Sequence, residues 1–209
     1  MKKLFTSILL SVMALGMNAQ VGNLPWNGMS EKNKIVATLG LGGSFVTGKH
    51  SDGFSSSFSY KLGVLYEWNV YDDFYFIPGL EFIDRSHRNV GYDSRISMAY
   101  VQFPLCAAYK YDLTSVVHAL DFFETFDITA KVGPYFSAGL FGTNIEVADD
   151  VYKSVFDTYD RFDAGILLGL GVDIGDFALG LEFSRGFAKF HDKMRLYHMA
   201  FGVTMAYKL

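Results

Sequence analysis

Nine ionisable side chains, Lys61, Glu67, Glu81, Lys110, Asp127, Lys131, Asp163, Asp173 and Glu182, sit singly in stretches that are otherwise apolar or rich in small residues. Isolated charges of both signs in such surroundings have two chemical uses. They line a path for ions, or they pair with one another where water is scarce. Nucleophilic catalysis is less well provided for, because a nucleophile and its base need mutual geometry. His198 shares a face with Thr204, His50, His87 and His191 fall in polar connections, and no Ser follows a His by two residues in a periodic stretch. The glycine-rich runs LGLGG (39–43) and LLGLGVDIG (167–175) do not open a helix after a strand, so they are not phosphate cradles. Cys106 is the single cysteine, has no His or Cys at ligand spacing, and is expected to be a small buried side chain. Asp149, Asp150, Asp157 and Asp160 make one connection acidic, which reads as solvated surface. No catalytic residue, cofactor or metal ligand is assigned, and the chain is not expected to be an enzyme.

Which use the charges serve depends on the elements that carry them. From Arg195 onward, Tyr197, Met199, Phe201, Val203, Met205, Tyr207 and Leu209 are bulky and apolar, while His198, Ala200, Gly202, Thr204, Ala206 and Lys208 are small or polar. A period of two is a strand. Phe162 to Ile174 and Phe177 to Ser184 alternate likewise, with Asp163, Gly165, Gly169, Gly171, Asp173, Gly180 and Glu182 on one face. Glycine weakens a strand and has nothing to pack. A solvated face would instead be rich in Lys, Glu and Thr. In a narrow closed barrel set in lipid the logic inverts, because the outer wall must be apolar and the interior must hold small residues and paired charges.

The same rhythm marks Ile35–Phe45, Phe58–Val70, Phe74–Phe82, Val101–Tyr111 and Phe126–Leu140, which brings the strands to eight. The expected fold is all-β, an eight-stranded antiparallel up-and-down transmembrane barrel. Its bore is only just wide enough for its own side chains. Lys61, Glu67, Glu81, Lys131, Asp163, Asp173 and Glu182 are therefore expected to pair into an interior charge network that fills it. Outside, Phe58, Tyr60, Tyr66, Trp68, Tyr197 and Tyr207 bracket the aliphatic centres of two strands, as a lipid-facing aromatic girdle requires.

Breaks in the rhythm carry their own expectations. Pro78 predicts a local irregularity. Ile96 and Met98, apolar at inward positions, imply a bulge near Tyr100. Residues 85–95 and 142–160 read as polar loops, and DLTSVVHALDFFE (112–124) has Val116, Val117, Leu120 and Phe123 at roughly helical spacing, a short amphipathic helix. Tight turns at Asp72-Asp73 and Gly175-Asp176, with longer polar connections after the first, third and fifth strands, place both termini on the inner side.

Lys2 and Lys3, an apolar stretch from Leu4 to Leu15 and Met17-Asn18-Ala19 form a signal peptide (1–19), followed by a flexible periplasmic lead-in (20–34) and the barrel (35–209). No later apolar run approaches the length of a membrane helix, so any insertion is by strands. Without Lys2 and Lys3 the chain has 16 basic and 22 acidic residues, a formal charge of −6, which excludes nucleic acid as a partner. The 35 aromatics, against 19% charged residues, suit a surface facing something other than water.

The segments YVQFPLCAAYKY, AKVGPYFSAG, FDAGILLGLGVDIGDFALGLEFSRGF and the terminal FGVTMAYKL, in that order, resemble the PorT-like outer-membrane β-barrel family of Gram-negative bacteria. The resemblance spans about residues 35–209. It implies a barrel in the cell outer membrane, in contact with its lipid, and assembled by the outer-membrane insertion machinery. That machinery recognises an aromatic C-terminal strand, whereas this chain ends in Leu209. The expected role is structural or interactive, with a protein partner met through the loops or the 112–124 connection. A part in a secretion or transport system is the alternative the resemblance adds, and a soluble lipocalin-like ligand-binding barrel is the third.

Overall fold

The computed structural model describes residues 32–49, 51–89, 94–114, 125–146, 151–157, 159–189 and 195–209. The signal peptide, all but the last residues of the lead-in, most of the 112–124 connection, and His50, Asp149, Asp150 and His191 lie outside the described residues. The strands are β1 (Lys34–Gly48), β2 (Phe54–Ser55), β3 (Ser57–Tyr71), β4 (Phe74–Asp84), β5 (His87–Asn89), β6 (Ser94–Asp112), β7 (Phe126–Glu146), β8 (Val151–Ser154), β9 (Phe162–Ile174), β10 (Phe177–Gly186) and β11 (Leu196–Lys208). Eight of them close a ring in the order β1-β3-β4-β6-β7-β9-β10-β11, every pair antiparallel. The ladder that joins β1 to β11 runs from Val36 opposite Lys208 to Gly48 opposite Leu196. Closure removes the sheet edges, which in hydrocarbon would leave backbone groups unpaired.

Alternation sorts the side chains as a closed wall demands. Phe58, Leu170 and Phe201 on the outer face are 62%, 64% and 50% exposed, whereas Lys61, Glu81, Asp163 and Asp173 on the inner face are buried. The inner glycines make room for the long charged side chains. Gly40 lies directly opposite Lys61 in the β1–β3 ladder, and a Cβ there would meet Lys61 Cγ at 2.6 Å. Gly169 faces Lys131 across β7–β9, and a Cβ would meet Lys131 Cε at 2.5 Å. Both tight turns take a residue into the left-handed region, Asp72 (φ 44°) and Gly175 (φ 56°). Asp tolerates that conformation better than most residues, and Asn69 Nδ2 donates to the Asp72 carbonyl at 2.6 Å.

Four local expectations meet the structure differently. At Pro78 the register holds, but the β3–β4 ladder is interrupted between Leu65–Gly79 and Trp68–Phe76, as a residue without an N–H requires. The irregularity near Tyr100 exists, yet the extra residue is on the other strand. Ala99 pairs with Phe141 and Tyr100 with Gly139, so Leu140 of β7 is the residue left over. Ile96 and Met98 keep their inward parity and are buried, because the bore is apolar at that level. Residues 85–95 are not simply a polar loop. Arg85, Ser86 and His87 are buried, the Arg85 N–H donates to the Met98 carbonyl at 2.8 Å, and β5 pairs with β6. The 142–160 stretch likewise begins as wall, since β7 runs on to Glu146 and β8 returns beside it. Together β2, β5 and β8 prolong the sheet beyond the ring at the end opposite the tight turns.

Candidate functional site

The charged interior falls into three groups stacked along the bore. Nearest the tight turns, Lys110 Nζ lies 2.6 Å from Glu67 Oε2 and 2.9 Å from Asp173 Oδ2, and Lys208 Nζ reaches the same Asp173 oxygen at 2.9 Å. The Lys110 ammonium also stands 4.8 Å from the centre of the Tyr75 ring. In the middle, Lys61 Nζ pairs with Glu81 Oε1 at 2.9 Å and with Glu182, whose second oxygen takes Lys131 Nζ at 2.8 Å. Towards the other end, Arg85 pairs with Asp163, and its NH2 donates to Gln102 Oε1 at 2.7 Å. Gln102 Nε2 donates in turn to Glu81 Oε2 at 3.0 Å, linking the middle group to the third.

Tyr135 O–H donates to Asp163 at 2.9 Å, and the Arg85 guanidinium lies 5.2 Å and 5.1 Å from the Tyr100 and Tyr135 rings. Among the described residues these pairs join five cations (Lys61, Arg85, Lys110, Lys131, Lys208) to five carboxylates (Glu67, Glu81, Asp163, Asp173, Glu182), with no net charge. Removing one member of a buried pair strands its partner, whereas a complete set is tolerated.

All seven residues expected in an interior network lie on the inner face, Lys131 the least buried of them. Asp127 is half-buried at the tight-turn mouth, beside Asp73, Tyr75, Lys110, Asp112, Thr114 and Thr125, around an open cavity of about 440 Å³. Arg85, Gln102, Tyr100, Tyr135 and Lys208 were not foreseen as members. Gln102 and Lys208 have inward parity on predicted strands, so their positions were open to the same argument. Arg85 continues the inward parity of Glu81 and Ile83, but it lies beyond the expected strand, which ends at Phe82.

Above Arg85 the bore changes character. Ile83, Ile96, Met98, Tyr100, Val155 and Leu196 pack together there, with Val46, Phe54, Phe156 and Tyr159 against them. His87 and His198 stack inside this cluster with 3.2 Å between Nε2 and Nδ1, and the Tyr100 hydroxyl is 3.3 Å from His198 Nε2. No group of three or more metal-binding side chains occurs among the described residues. Cys106 is buried.

On the outer wall the aromatics form two sets of contacts. Tyr60, Phe82 and Phe141 follow one another at 6.5 Å and 6.1 Å between ring centres. Near the tight turns, Phe74 meets Tyr109 and Phe177 meets Tyr207, each pair at 5.0 Å. Phe58 and Trp68 are exposed, and Tyr66 and Tyr197 are half-buried.

Residues 18–192 match the family described as an outer membrane protein beta-barrel domain. No protein of curated function matches the chain. Solved structures with a partial likeness of shape include the attachment invasion locus protein of Yersinia pestis, 11% identical over 86% of this chain and 100% of that one, with a TM-score of 0.47. Neisserial surface protein A is 9% identical over 84% of this chain and 97% of its own, with a TM-score of 0.49. The N-terminal barrel domain of Pseudomonas aeruginosa OprF is 11% identical over 83% and 97%, with a TM-score of 0.37. A closed antiparallel barrel with an apolar outer wall and a family match across most of its length make this chain a member of the outer membrane β-barrel family, an eight-stranded protein of the cell outer membrane.

Proposed function

We propose that the protein is a closed outer-membrane barrel with a structural or interaction role, its bore plugged by its own side chains, and that it is neither a pore nor an enzyme. The observation that carries this is the neutral interior, five cations against five carboxylates, bridged by Gln102. An ion path is normally lined by an excess of one sign. Complete mutual pairing leaves few charges to attract a passing ion. Deeper in the bore, the cavities lined by Lys61 and Glu182 and by Glu67, Lys131 and Asp173 measure about 40 and 70 Å³, room for a few waters each, and the 440 Å³ opening beside Lys110 lies at the tight-turn mouth. The barrel thereby serves as a membrane anchor that holds β2, β5 and β8 and their connections beyond the wall, where a protein partner is met.

Purified protein in planar bilayers should show no stable single-channel conductance at moderate voltage, and Glu182→Gln should not create one while Arg85 keeps Asp163. Reproducible unitary steps from the unmodified barrel would contradict the plug. The segments that resemble PorT-like barrels support a second reading, an accessory part in a secretion apparatus. A strain lacking the protein would then retain cargo that the parent strain exports, and normal export would remove that reading. Assembly by the outer-membrane insertion machinery is proposed on the same resemblance.

A further inference from the structure

We propose that the outward face of β10, β11 and β1, at the end away from the tight turns, binds the phosphate groups of an anionic lipid headgroup in the outer leaflet. The register sets the residues out in rows. Ile166, Arg185, Met199 and Phe45 are successive neighbours across β9, β10, β11 and β1, all with outward parity. Tyr197, opposite Thr47, is the next outward position of the β1–β11 ladder, and Phe187, Lys189, Arg195 and Lys49 lie just past the ends of β10, β11 and β1 at the same rim. Arg185, Phe187, Lys189, Arg195 and Lys49 are all exposed.

Arg185 therefore lies one outward position nearer the membrane centre than Phe187 and Tyr197, on three strands whose other outward residues are apolar apart from Thr47. None of the four cationic side chains makes an ion pair or hydrogen bond among the described residues.

A guanidinium on a lipid-facing wall is tolerated where it reaches the headgroup layer. There it is the side chain best shaped for two parallel hydrogen bonds to a phosphate. The depth selects the occupant, because a position below Phe187 is reached by a membrane component and not by a soluble polyanion. On β4, across the rim, the outward residue at the corresponding end is Asp84, and the tight-turn end exposes Asp72, Asp73, Asp112 and Asp176. Barrels of this kind keep short turns on the periplasmic side, so the basic sector faces the outer leaflet.

The test titrates the folded full-length protein in neutral detergent with short-chain phosphatidic acid, short-chain phosphatidylcholine and inorganic phosphate, counting bound lipid by native mass spectrometry. Phosphatidic acid should bind more tightly than phosphatidylcholine. Each neutralised cation should weaken it about fivefold, with R185Q giving the largest single loss, R185K keeping most of the affinity, and K49Q/R185Q/K189Q/R195Q abolishing the preference. K32Q, at the opposite rim, should leave it unchanged. Heat-modifiable gel migration verifies that each variant is folded. The proposal fails if the two lipids bind alike, if the quadruple variant keeps its preference, if K32Q loses as much as R185Q, or if inorganic phosphate displaces the lipid at equal concentration.

Discussion

The two ends of the bore solve the same filling problem with different chemistry. From the tight turns up to Gln102, the interior is built by wall strands alone, with long charged side chains laid against glycines on the neighbouring strand, as Lys61 is against Gly40 and Lys131 against Gly169. At the far end the filling includes chain that has left the ring or is about to enter it. Arg85 and His87 follow β4, Val155 and Phe156 follow β8, and Ile96, Met98 and Leu196 stand near the starts of β6 and β11. The difference teaches where each end draws its stability. Paired charges are demanding, since every member depends on a partner. An apolar cluster depends on volume and on keeping protons out.

The largest effect should separate the ends most sharply. Glu182→Gln removes the carboxylate that Lys61 and Lys131 share. Lys61 keeps Glu81, but Lys131 is left without an acid among those it contacts. The expected cost is about 3–5 kcal/mol, the usual penalty for breaking a buried pair, read as a lower urea midpoint for unfolding from lipid vesicles. Adding Lys131→Met should recover part of the loss. A change near zero in the single variant would mean that water enters the middle of the bore, and the contrast between the ends would then dissolve.

How much of this could be read from the chain follows from the same division. The wall strands, their ends at Asp72 and Gly175, and the inward position of Lys61, Glu67, Glu81, Lys131, Asp163, Asp173 and Glu182 are all written in a period of two. Arg85 and His87 share that parity, but a run of Asp, Arg, Ser, His and Asn has loop composition wherever it folds. Their burial comes from the β4–β6 register running on through them, Asp84 opposite Ala99 and His87 opposite Ile96, so that both keep the inward parity of Glu81 and Ile83. Ile96 and Met98 did carry a signal. Apolar residues at inward parity announce an apolar level of the bore, and a bulge is the other way to explain them, so parity alone could not choose.

Acid should sharpen the contrast next. His87 lies on β5, outside the eight wall strands, and burial together with the Arg85 cation pushes its pKa down to about 3 from the ordinary 6.5. The unfolded chain then binds a proton below 6.5 that the folded chain refuses. The contribution of His87 is present in full above pH 6.5 and is lost as pH falls from there towards 3, amounting to about 2 kcal/mol at pH 5. Unfolding midpoints at pH 7.5 and pH 5 should differ by that much more in the parent than in His87→Gln. Equal acid sensitivity in the two proteins would assign the effect to another group.

The smallest change probes how tightly the apolar end is packed. Ile83 is 5% exposed and touches the cluster of Ile96, Met98, Val155 and Leu196. Ile83→Val deletes one methylene without adding a polar atom, and in a close-packed interior it should cost about 0.5–1.5 kcal/mol. The figure matters because Val155, Phe54, Phe156 and Tyr159 of this cluster come from chain outside the ring, where packing can relax more easily than between wall strands. Unfolding from vesicles measures it on the same scale as Glu182→Gln. A loss close to zero would describe a loose cap that closes over the gap, and one larger than the Glu182→Gln loss would make the mouth, not the ion pairs, the rigid part of the bore.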